Sequence, residues 1–146
     1  MTSTDLILDL EFSTSNGSMT VEIFAGAQSI AVYQDVSPGC VRLHHAIELP
    51  TQLRFEISNK NYDLDTQVDQ QGHITADKFV KLQHVRLGNI PIKSEILYRI
   101  CRYQNDRSDQ IQFDPMWCFN GTATIDFFDQ NFIRYLLMID NKFSHK

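Results

Sequence analysis

The sequence has little with which to staple, break or anchor itself. Its three cysteines, Cys40, Cys101 and Cys118, share no short spacing, which excludes a disulfide framework and a cysteine-based zinc centre and leaves buried, reduced thiols as the expectation. Six glycines and four prolines in 146 residues never gather into a linker, and no segment repeats, so residues 1–146 are read as one domain. No apolar run approaches the ~20 residues of a membrane-spanning helix. Lys and Arg number 13, are scattered, and leave a net charge of -5; without a basic stripe to displace counterions, nucleic acid is excluded as a main partner. The opening "MTSTDLILDLEF" has no basic start and is broken by Asp5, Asp9 and Glu11. It is expected to be neither signal nor transit peptide, which places synthesis in a cytoplasm.

What is present is period two. In "DLILDLEFS" the residues Leu6, Leu8, Leu10 and Phe12 fall on one face with Asp9 and Glu11 opposite, the pattern of a strand with one wet side. "MTVEIFA" repeats it with Met19, Val21 and Ile23, and Asn16-Gly17 between the two segments predicts a tight hairpin. Further strands are expected at "SIAVYQD", "CVRLHHAIEL" and "TQLRFEIS", the last with Leu53, Phe55 and Ile57 alternating with polar residues. In "DKFVKLQHVRLGNI" the phase changes, since Val80 and Leu82 share one parity and Val85 and Leu87 the other. A strand can bury both pairs only with an inserted residue, which predicts a bulge near Gln83 and His84. Short strands at this spacing predict an all-β, antiparallel β-sandwich of jelly-roll type.

Two segments leave the strand rhythm. "SEILYRICRY" sets Ile96, Leu97, Ile100 and Cys101 at helical spacing behind Ser94 as the expected cap. "DQNFIRYLLMID" does the same with Phe132, Ile133, Leu136 and Leu137 behind Asp129. Two short helices are predicted, with a second hairpin about Asn120-Gly121 between them.

The stretch "DLDTQVDQQGHITAD" gathers Asp63, Asp65 and Asp69 around Gly72. A helix-flanked calcium loop needs a closing bidentate Glu, which is missing. "DQQG" is instead the chemistry of a turn, with calcium on a loop rim through Asp63, Asp65 and Asp69 as the alternative and no other cofactor expected. His44 and His45 are adjacent in a strand and so point to opposite faces, while His73, His84 and His145 stand alone; none forms a chelating pair. No nucleophile elbow or phosphate-binding glycine loop occurs, so no catalytic residue is assigned. Asn16 and Asn120 sit in glycosylation sequons but are read as turn residues. Aromatics crowd toward the C-terminus. Trp117, Phe127, Phe128 and Tyr103 are the expected contacts with a partner or glycan, because one of two consecutive strand residues, Phe127 or Phe128, must face away from the core.

The segment "LRFEISNKNYDLDTQVDQQGHITADKFVKLQHVRLGNIPI" resembles a family of small proteins of tailed phages, notably cyanophages. The features that carry the resemblance are Leu53, Phe55, Ser58, Thr66, Asp69, Gly72, Ile74 and Asp77. The closing "FNGTATIDFFDQNFIRYLLMIDN", through Asn120, Gly121, Leu136 and Leu137, is similar to the end of the same family. The chain departs from that family in a longer insert from Cys101 to Trp117. The resemblance implies a virion protein with a carbohydrate-binding-module-like sandwich, an accessory on capsid or tail that partners other virion proteins, as a homo-oligomer or otherwise. It also implies a face for host surface polysaccharide, no membrane partner and no enzymatic activity. A stand-alone carbohydrate-binding module is the alternative, and a small hydrolase using Asp63, Asp65 or Asp126 ranks third.

Overall fold

The structure is a computed structural model, which describes residues 2–13, 19–34, 39–61, 66–127, 129, 131–136 and 138. Asn16, Gly17, Asp63, Asp65, Phe128, Leu137 and His145, with the expectations attached to them, lie outside the described residues.

Thirteen strands are described, all in antiparallel pairs. The first sheet runs β12 (Met116–Trp117), β8 (Val80–Leu87), β1 (Thr2–Phe12), β4 (Gly39–Leu49), with β9 (Ile90–Ile92) also on β8. The second has six strands in the order β11 (Gln112–Phe113), β10 (Arg102–Asn105), β13 (Gly121–Phe127), β5 (Thr51–Ser58), β2 (Thr20–Ala25), β3 (Gln28–Tyr33). A small separate ladder joins β6 (Thr66–Val68) to β7 (Ile74–Asp77). Among the described residues no helix is long and apolar enough to cross a membrane.

The alternation seen in the sequence is the alternation of burial. Leu6, Leu8 and Leu10 of β1, with Val80, Leu82, Val85 and Leu87 of β8, form one wall of the core. Val21 and Ile23 of β2, Leu53 and Phe55 of β5, and Ile125 and Phe127 of β13 form the other. The expected antiparallel β-sandwich is therefore the fold. The expected bulge is also there: Asp9 pairs with His84 and Leu10 with Leu82, which leaves Gln83 as the extra residue. That insertion turns Val80 and Leu82 inward on one side of it and Val85 and Leu87 inward on the other.

Neither expected hairpin forms. β1 pairs with β4 and β8 in the first sheet, whereas β2 pairs with β3 and β5 in the second, so β1 and β2 are not partners. Likewise β12 lies on β8 while β13 lies between β10 and β5, and Asn120-Gly121 is a crossing between sheets. Gly121 is required there by proximity. A Cβ at this position would stand 2.2 Å from Gln104 O and 2.7 Å from Asn105 Cα, both backbone atoms of the paired strand.

Helix α1 (Ser94–Ile100) buries Ile96 and Leu97, as its spacing predicts. Its cap is not Ser94. Lys93 is the last extended residue, with φ -64 and ψ 153, so Ser94 is already inside the first turn, and no side chain caps the end. Residues 131–136 form the second helical segment. Here the expected cap is in place: Asp129 Oδ1 accepts from the Phe132 N–H at 2.7 Å. Asp129→Ala should cost about 1 kcal/mol, the usual worth of such a cap, read as a lower urea midpoint with an unchanged slope.

Candidate functional site

The aromatic residues singled out by the sequence do not meet solvent. Trp117 is 0% exposed, Phe127 1% and Tyr103 2%, so none can stack on a ligand, and their expected contact role is corrected to core packing. Trp117 projects from the first sheet between Phe55 and Tyr103 of the second, with ring centroids 4.7 and 6.4 Å away. Its indole N–H donates to Asp114 O at 2.8 Å. The Tyr103 hydroxyl donates to Phe119 O and accepts from the Phe119 N–H. Phe127 faces inward as one of its pair must. The thiols divide: Cys101 is buried, Cys118 half-buried and Cys40 exposed, which corrects the expectation that all three are buried. Burial pushes the Cys101 thiol up to about 12.

Within the described part of the acidic stretch, residues 69–73 form a turn between β6 and β7. Asp69 Oδ1 accepts from the Gln71 and His73 N–H groups, each at 2.9 Å, and Gly72 takes a φ of +84. One carboxylate oxygen is thus committed to the backbone, and the other lies 3.5 Å from His73 Nδ1. Among the described residues no three His, Cys, Asp or Glu side chains converge; Asp63 and Asp65, the other two calcium candidates, lie outside those residues. Asp126 sits on a different sheet, where Gln52 donates to it at 3.1 Å.

Two outward faces carry the chemistry that remains. On the six-stranded sheet, cross-strand register aligns Ser29, Phe24, Arg54, Thr124, Arg102 and Phe113 in one row spanning every strand. At a strand spacing of roughly 4.8 Å that row is about 24 Å long. Phe113 is 51% exposed at one end. Toward the other end the Arg54 guanidinium lies over the Phe24 ring, 4.3 Å from its centroid. Arg54 Nε is shut from water and stands 3.2 Å from Glu56 Oε1, yet it makes no hydrogen bond. The approach is oblique, so a donor is held in place without being satisfied. The adjoining row sets Glu22 and Glu56 beside Thr122 and Gln104. The sequence hides this surface because its members lie on six separated segments, and Phe113 occupies a two-residue strand too short to show a period.

The opposite face belongs to β4, β1 and β8. Register there aligns Arg42, Asp9 and His84 in one row and His44, Ile7 and Arg86 in the next. Arg42 grips Asp9 with two hydrogen bonds, Nε to Oδ1 at 2.7 Å and Nη2 to Oδ2 at 2.9 Å, and His84 Nδ1 stands 3.4 Å from Oδ2. The Arg42 hydrogen bond outweighs desolvation and holds the Asp9 carboxyl below its ordinary range. A folded pKa that is depressed stabilises the protein at pH values above the ordinary carboxylate range. That contribution is lost as the pH falls through the depressed value. His44 lies 3.5 Å from Asp5 on this face, while His45 has the opposite parity and meets Ala46 O through Nδ1 at 2.8 Å.

No family model matches the chain, and no curated protein does. Among solved structures the fold matches a module, vCBM60, in complex with galactobiose, at a TM-score of 0.54 and 10% identity over 84% of this chain and 97% of that one. It also matches a selenomethionine form of vCBM60, from work linking two families of calcium-dependent carbohydrate-binding modules by circular permutation. There the TM-score is 0.54 and the identity 7%, over 84% of this chain and 90% of that one. At such identities the likeness is one of fold: this chain shares a β-sandwich fold with these modules.

Proposed function

We propose that this protein is a non-catalytic glycan-binding module whose ligand surface is the outer face of the six-stranded sheet. The observation that carries this reading is the row from Ser29 to Phe113. It combines exposed aromatic area, two guanidinium groups and hydroxyls in a strip long enough for several sugar units. Sugars are bound by such mixtures because their ring faces are weakly apolar and their hydroxyls both donate and accept. Glu22, Glu56 and Asp126 add acceptors alongside. The fold shared with vCBM60 supports the same reading.

The test is a glycan array followed by calorimetric titration of the best ligand. Phe113→Ala should weaken binding at least tenfold while leaving the melting temperature nearly unchanged, since half of that side chain is already in water. A blank array, or unchanged affinity in the variant, removes the proposal.

A second reading places the module on a phage particle, as the resemblance of its central segment implies. One observation favours a protein contact of that kind: Val68 and Ile74 pair across β6 and β7 and are 59% and 63% exposed, a bare aliphatic tip on a small ladder. Recovery of the chain at many copies in purified virions would support it, and consistent absence would end it.

A further inference from the structure

The face of β4, β1 and β8 holds a cleft of about 350 Å³ whose lining includes Ile7 and Pro91 as apolar surface and Arg42, His84 and Arg86 as polar rim. Rows on one face of an antiparallel sheet lie roughly 7 Å apart, and neighbours within a row roughly 5 Å. Arg42 and His84 therefore flank Asp9 one row from Ile7, and Arg86 flanks Ile7 itself. Asp9 uses both carboxylate oxygens on Arg42, which fixes the orientation of that guanidinium and leaves its remaining N–H groups outward, on a side chain 68% exposed. Arg86 is exposed and has no hydrogen-bond or ion-pair partner among the described residues. The cleft thus carries two guanidinium groups and an imidazole against one carboxylate, in a protein whose net charge is -5. That overall charge is screened beyond about 8–10 Å at ordinary ionic strength, so the local excess governs what enters.

We propose that this cleft binds the carboxylate of an acidic sugar, a hexuronate unit, as a second site on the sheet opposite the proposed glycan surface. A planar carboxylate matches the fork of a guanidinium. The apolar surface of Ile7 and Pro91 takes the ring face beside it. The identity of the ligand as a sugar rests on the glycan-binding reading; the preference for a carboxylate stands on the cleft alone.

The experiment titrates oligogalacturonate into the full chain by NMR, in parallel with a neutral galacto-oligosaccharide of the same length. Arg86→Gln, a surface change whose folding is checked by circular dichroism, should lower oligogalacturonate affinity at least tenfold and leave the neutral sugar unaffected. Phe113→Ala should do the reverse. Acetate, which carries the charge without the ring, should compete far more weakly than galacturonic acid. The proposal is overturned by no saturable oligogalacturonate binding at millimolar concentration, by wild-type binding in Arg86→Gln, by loss of both sugars in Phe113→Ala, or by equal competition from acetate. Oligogalacturonate binding that depends on Arg86 while neutral sugars fail to bind upholds this site and removes the six-stranded surface instead.

Discussion

Trp117→Ala should cost about 3–5 kcal/mol of stability, the range for truncating a large, fully enclosed aromatic side chain. The indole is 0% exposed and touches rings from the facing sheet, so its loss opens a void that neither sheet can close alone. It also leaves Asp114 O without the indole N–H that donates to it at 2.8 Å. Whole domains are commonly stable by only about 5–15 kcal/mol, so a large part of the folded margin goes with one side chain. Circular dichroism during urea titration is the measurement, because this variant has no tryptophan left to report by fluorescence. A loss below about 1 kcal/mol would mean that the two sheets do not meet through this ring.

Lys60→Met should be nearly as damaging, at about 3 kcal/mol. The Lys60 side chain is buried, and its ammonium donates to Lys78 O at 2.8 Å and to Cys118 O. The backbone of the same residue is gripped from the other side: its N–H donates to Asn120 Oδ1 at 2.9 Å, and the Asn120 amide donates back to Lys60 O at 3.2 Å. One residue therefore ties together the exit of β5, the approach to β8 and the crossing into β13. Methionine keeps the length and loses the donors. Each hydrogen bond to a charged group is worth roughly 1.5–3 kcal/mol, partly offset because an ammonium no longer has to be taken out of water. The single tryptophan makes this variant easy to follow, since Trp117 leaves the core when the chain unfolds. A urea midpoint equal to that of the wild type would contradict the clamp.

Which side of each strand faces inward was readable from the sequence, because burial enforces a period of two and a one-residue slip would expose a whole row. The same logic located the insertion at Gln83, where two buried pairs of opposite parity cannot share an unbroken strand. Turn and cap chemistry at Asp69 and Asp129 was also local, and therefore visible. Partner choice was not: the alternation in β1 is identical whether its neighbour is β2 or β4, so Asn16-Gly17 suggested a hairpin between two strands that lie in different sheets. The functional surfaces were hidden for a related reason. Asp9, Arg42 and His84 lie on three separated segments and become a cluster only through register across three strands. Nothing local distinguishes Lys60, whose ammonium is enclosed, from a surface lysine. The aromatics Trp117, Tyr103 and Phe127 were noticed by type, and type does not tell an inward ring from an outward one.

The unpaired residue in β8 makes core and cleft interdependent in a particular way. Val85 and Leu87 point inward only because His84 and Arg86 point outward, so loss or gain of one position between Val80 and Leu87 would exchange lining for rim. Substitutions can retune the recognition chemistry of that face freely, whereas changes in length cannot be tolerated there. Diversification of the cleft is thus confined to side-chain identity, while the loops at the ends of the sandwich remain the places where the chain can grow.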